Sequence, residues 1–99
     1  MAIKVFIKRR IQPGKMAEMS RLITQARYNA MAQPGYISSE TYTALEDPNL
    51  IMVLAMWHDL SDWYAYRESD QRVAHEAELA PFLSEPSTYE IYRLGLVPE

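Results

Sequence analysis

The sequence contains no cysteine. Disulfides, thiolate metal sites and cysteine nucleophiles are therefore excluded. It has only two histidines, His58 and His75, set apart by a helical pattern, and that spacing makes no metal site. A dominant charge is also missing, since the net charge is only −3. The one basic cluster, Lys8-Arg9-Arg10, is short and lies inside a strand pattern, so nucleic acid is not an expected partner. No apolar run approaches the roughly 18 residues of a membrane span, and the opening MAIKVFIKRR alternates instead of forming a signal sequence. The expectation is a soluble, cytoplasmic protein with no membrane partner.

What is present is the composition of one globular domain covering 1–99, with 48% hydrophobic and 23% charged residues. A chain this short hides only about 60 to 65 per cent of its unfolded surface, so a second subunit would help. The central feature is LIMVLAMWHDLSDWYAYRESDQRVAH, residues 50–75. It starts as an apolar strand ending at Trp57, turns polar at His58 and Asp59, and enters an aromatic helical segment with Trp63, Tyr64 and Tyr66.

Upstream, Ile3, Val5, Ile7 and Ile11 share one parity against Lys4, Lys8 and Arg10, the signature of a strand with one buried face. Phe6 puts an apolar group on the other face, which implies that this face is also covered. After Pro13-Gly14, Met16, Met19, Leu22, Ile23, Ala26 and Ala30 follow helical spacing until Gln33-Pro34-Gly35. A strand from Tyr36 and the strand from Leu50 form an antiparallel hairpin around a turn at Asp47-Pro48-Asn49. Asp59 or Ser61 caps the next helix, which breaks near Ser69 and ends at Pro81, and a last strand carries Tyr89, Ile91 and Arg93. The order strand, helix, strand, strand, helix, strand predicts an α+β, ferredoxin-like βαββαβ fold: one four-stranded antiparallel sheet with both helices on one face. The other face, bearing apolar groups, predicts a homodimer through packed sheet faces.

The alternating first strand ending in Pro13-Gly14, the Pro34-Gly35-Tyr36 turn, the strand ending in Trp57, the aromatic at Trp63 and the helix carrying Ala74-His75 resemble the antibiotic biosynthesis monooxygenase (ABM) domain, a dimeric α+β barrel family. The resemblance spans 3–94. It implies a cofactor-free monooxygenase that deprotonates a phenol or quinol and lets the resulting carbanion reduce dioxygen, in a pocket that shields the anion and donates to its oxygen. Trp57 matches the family's donor tryptophan, whereas its asparagine and arginine positions hold Val53 and Ala77. The family's haem-degrading branch would use His75 as ligand, but its second tryptophan falls on Arg67 and its first-strand asparagine on Ile7 or Lys8.

Two functions follow from these residues. In the first, Phe6, Tyr42, Trp57, Trp63 and Tyr66 line a pocket for a small aromatic molecule, with Trp57 and His75 catalytic, His75 being the base titrating near neutrality. In the second, the domain is a non-catalytic dimeric module binding a small apolar ligand, or haem through His75. Both must be set against plainer roles. Trp57, Trp63, Tyr64 and Tyr66 are also ordinary core and rim aromatics, His58 and His75 ordinary surface histidines, and the six methionines adaptable filler. Lys8 and Arg10 either face solvent or point into the cavity, and parity alone leaves both open.

Overall fold

The structure, a computed structural model, describes residues 1–98. The chain runs β1 (Ile3–Arg10), α1 (Met16–Met31), β2 (Tyr36–Ala44), β3 (Asp47–Trp57), α2 (Leu60–Arg67), α3 (Asp70–Leu79), a 3₁₀ turn (Ala80–Phe82) and β4 (Thr88–Arg93). The strands form one antiparallel sheet in the order β2-β3-β1-β4, so the two strands that carry fully buried residues lie at its centre. This is the ferredoxin-like arrangement expected from the sequence. Among the described residues no helix is long and apolar enough to cross a membrane.

Parity decides the two faces. Ile3, Val5, Ile7, Arg9 and Ile11 turn toward the helices, and their β3 partners Trp57, Ala55, Val53 and Ile51 turn the same way. Two apolar clusters result. One joins Ile3, Val5, Ile7, Ala55 and Trp57 to Trp63 and Tyr66 of α2; the other joins Ile11 and Ile51 to Met19 of α1 and Leu79 of α3. Arg9 sits between them on the strand, a charge where the apolar series continues on either side.

The hairpin turn differs from the expected Asp47-Pro48-Asn49. Ala44 pairs with Asp47, so the chain reverses at Leu45 and Glu46. The next β2 pair is Thr43 with Ile51, which leaves Pro48, Asn49 and Leu50 in a bulge on β3. A bulge accommodates the missing N–H of Pro48 within a central strand. Asp47 is held instead by Arg10 and by accepting from the Asn49 N–H at 3.0 Å.

The break between α2 and α3 lies at Ser69. Its backbone is extended and its hydroxyl accepts from the Arg72 N–H at 3.2 Å, which satisfies one of the unpaired donors at the start of α3. This cap turns α3 so that Arg72, His75 and Leu79 are buried.

Candidate active site

Trp57 ends β3 and is fully buried, 0% exposed. Tyr66 stacks on it with ring centroids 5.3 Å apart, Trp63 lies tilted at 6.1 Å, and Tyr36 meets it edge-on at 5.7 Å. These rings line a small cavity of about 60 Å³ together with Ile7, Arg9, Arg72 and residues of α1 and β2. The structure thus brings Trp57, Trp63 and Tyr66 together, the first from a strand end and the other two from the buried face of α2.

The placement of the other expected residues differs. Phe6 and Tyr42 lie on the opposite face of the sheet, because Phe6 has the parity opposite to Ile7 and Tyr42 pairs with Met52, whose neighbours Ile51 and Val53 take the helix side. Phe6 packs there against Tyr92, with ring centroids 5.4 Å apart. Lys8 and Arg10 take that same face, and Arg10 pairs with Asp47 and Glu85. His58 is exposed. His75 is buried on α3, 6% exposed, but it is not part of the cavity wall. Burial lowers its pKa below the ordinary value of 6.5, a direction that nearby Glu76 and Glu78 oppose.

What the sequence reading missed is an ionic network behind the aromatics. Arg9 donates to both carboxylate oxygens of Glu76, at 2.9 and 2.7 Å, and to the Ser87 hydroxyl at 3.1 Å. Arg72 lies 2.6 Å from the same carboxylate and donates to the Tyr89 hydroxyl at 3.0 Å. Tyr89 in turn donates to Glu76 at 3.2 Å. Burial alone would raise the Glu76 pKa, but the Arg9 contacts and the Arg72 charge outweigh it and hold the carboxyl below its ordinary range. The Arg72 guanidinium also lies 5.4 Å from the Trp63 ring centre and 5.8 Å from those of Tyr66 and Tyr89, so its position is fixed by cation–π contacts as well as by charge. The signal for Arg9 was its parity, shared with Ile7 and Ile11. Arg72 and Glu76, one helical turn apart on α3, carried no such mark.

Three residues that line the cavity each carry a buried donor with no acceptor: the indole N–H of Trp57, the indole N–H of Trp63 and Nε of Arg9. Tyr66 remains a neutral phenol, its pKa raised chiefly by burial. Outside the cavity, α1 stands away from β2, so Thr41 and Thr43 are exposed although they face the helix side. The gap is a cleft of about 540 Å³ that shares Ile23, Arg27 and Thr41 with the inner cavity. These residues do not fit haem. His75 lies outside both walls, and the cleft, the larger space, offers no histidine.

A family model described as antibiotic biosynthesis monooxygenase matches residues 2–78. A search of curated proteins gave no match. Among solved structures, a conserved protein from Methanosarcina mazei Go1 superposes with a TM-score of 0.88 at 26% identity, covering 94% of this chain and 92% of that one. A putative antibiotic biosynthesis monooxygenase from Nitrosomonas europaea gives 0.87 at 16% identity, over 98% and 92% of the two chains. A point mutant of SnoaB, a cofactor-independent oxygenase from Streptomyces nogalater, gives 0.85 at 14% identity, over 99% and 98%.

Proposed function

The chain belongs to the antibiotic biosynthesis monooxygenase family, and from that premise we propose that it is a cofactor-free monooxygenase oxidising a small aromatic phenol or quinol with dioxygen. The carrying observation is the buried, unpartnered indole N–H of Trp57, a residue that helps to line the small cavity beside the cleft. A buried donor left without an acceptor costs about 1 to 3 kcal/mol. A substrate oxygen that gains negative charge relieves that cost most when the charge is greatest, which is how such a donor lowers a barrier.

Size assigns the two spaces different parts. A cavity of about 60 Å³ is smaller than the roughly 150 Å³ apolar cavity that takes up benzene. The ring therefore occupies the cleft between α1 and β2, and its reacting edge reaches past Ile23, Arg27 and Thr41 toward the indoles. The phenol loses its hydroxyl proton, and the electron-rich ring carbon of the phenolate then reduces dioxygen and bonds to it. The proton taken from the hydroxyl returns to the distal oxygen of the resulting peroxide, and cleavage of the O–O bond with loss of the C–H proton then leaves a ring carbonyl; the departing hydroxide takes the C–H proton and leaves as water. One oxygen atom stays in the quinone, and every electron comes from the substrate. His75, kept neutral by burial, is the base assigned to receive the first proton, although it stands outside the cavity wall.

One observation favours the second reading, binding without turnover: among the described residues no carboxylate and no histidine lines the cavity. Oxygen-electrode measurements with a panel of naphthols and quinols separate the two. The oxygenase reading expects substrate-dependent dioxygen uptake that falls about 100-fold or more in Trp57→Phe, with the fold intact by circular dichroism. Uptake no faster than the protein-free control, with the same compounds bound in a calorimeter, leaves the binding module.

A further inference from the structure

We propose that the ligand of this site is a planar aromatic monoanion that carries, besides the hydroxyl that reacts, either a carboxylate or a second, acidic ring hydroxyl ionised before it binds. The inference rests on the cavity and cleft being the ligand site of the oxygenase reading, and it adds the charge that the ligand must bring.

The buried network is unbalanced. Arg9 and Arg72, 4% and 6% exposed, share the single carboxylate of Glu76. Two guanidinium groups against one carboxylate leave one positive charge, in a region where an uncompensated charge is expensive. Arg72 cannot swing out to water without giving up its contacts to Trp63, Tyr66 and Tyr89. A third guanidinium, Arg27, stands where the cavity meets the cleft, and no acidic residue lines either space among the described residues.

The hydrogen-bonding capacity points the same way. Every unpartnered buried polar atom in the wall is a donor, namely Arg9 Nε and the indole N–H groups of Trp57 and Trp63. A group that also needs to donate would find no unmatched buried acceptor among these described residues. An ionised oxygen, which only accepts, suits such a donor set and neutralises the excess charge. The chain as a whole is acidic, at −3, so the basic site is a local construction and not a reflection of general composition.

The test is calorimetric binding of matched probes to the whole protein: 2-naphthoate against 2-naphthamide, and 2-hydroxy-1,4-naphthoquinone against its methyl ether. The anion of at least one pair should bind about tenfold or more tighter than its neutral counterpart. Preference for naphthoate identifies a carboxylate ligand, and preference confined to the hydroxyquinone identifies an acidic hydroxyl. Arg27→Gln, an exposed position, should weaken the preference, whereas Glu76→Gln should strengthen it by removing the competing carboxylate. Arg9→Met should abolish it; if that variant does not fold, the other two decide. Equal or tighter binding of both neutral probes, binding of no probe, or a preference unmoved by both Arg27→Gln and Glu76→Gln overturns the proposal. Because no turnover is measured, anion preference without dioxygen uptake would leave this inference standing and remove the oxygenase reading, and uptake without anion preference would do the reverse.

Discussion

Arg9 occupies a place that Ile3, Val5, Ile7 and Ile11 would lead one to give to another aliphatic residue. Its tolerance depends on Glu76, and that dependence makes stability a function of pH. The Glu76 carboxyl is held below its ordinary value of 4.5 in the fold, so below about 4.5 the unfolded chain binds more protons than the native one, and stability falls as pH drops through the native value. His75 acts in the same direction at higher pH. Its native pKa lies below 6.5, so the unfolded chain takes up a proton first, and stability, complete above about 6.5, declines on acidification from there. Urea midpoints measured from pH 8 to 3 should decline in two stages. His75→Gln should flatten the upper stage and leave the lower one, and a wild-type midpoint constant between pH 7 and 5 would contradict the burial of His75. Trp57, Trp63 and Tyr66 were legible in the sequence because an apolar strand and an aromatic helix run adjoin there. The network was not legible: its members lie far apart in the chain, and a buried ion pair leaves no periodic trace.

At the scale of elements, the entry into the site is set by Gly35. Its φ is +84°, in the left-handed region, and a Cβ there would overlap the Asp62 carboxylate of α2. The Gly35 carbonyl accepts from the His58 N–H at 2.8 Å, which ties the start of β2 to the end of β3 directly beside Trp57. Gly35→Ala therefore meets both a backbone penalty of about 1 to 3 kcal/mol and a clash that pushes α2 away from the aromatic cluster. The expected result is a lower urea midpoint together with a shifted tryptophan emission maximum, since both tryptophans lie in that cluster. An unchanged spectrum would mean that α2 does not depend on this contact. The strands and helices themselves followed from period-2 and helical spacing. The hairpin turn did not, because Asp47-Pro48-Asn49 has the composition of a turn and yet sits in a bulge, where the pull of Arg10 on Asp47 and the pairing of β1 with Leu50 hold it in line with the strand.

For the whole molecule, the sheet has two sides and the helices cover one. On the other, Phe6, Met52, Leu54 and Met56 are half-buried at best, with Tyr42 and Tyr92 exposed beside them. Tyr42 and Tyr92 donate to Glu40 and Glu90, and Lys4 and Lys8 lie on the same face, which gives the apolar centre a polar surround. That is the anatomy of an interface, and a second copy of the sheet would supply a matching surface by two-fold symmetry. Stable interfaces of this kind bury on the order of 800 Å² per partner. The strand that carries Trp57 on its inner side presents Met52, Leu54 and Met56 on its outer side, so the dimer would support the cavity from behind. Leu54→Glu places a carboxylate opposite Phe6 and Glu40 in the middle of that face. Light scattering should find a dimer for the wild type and a monomer for the variant, and the wild-type melting temperature should rise with protein concentration while that of the variant stays constant. A wild type that is monomeric at high micromolar concentration would leave this face without a partner and the back of β3 in water. If the dimer also supports the cavity, dissociation should weaken ligand binding in Leu54→Glu even though the substituted side chain is on the far side of the sheet from Trp57.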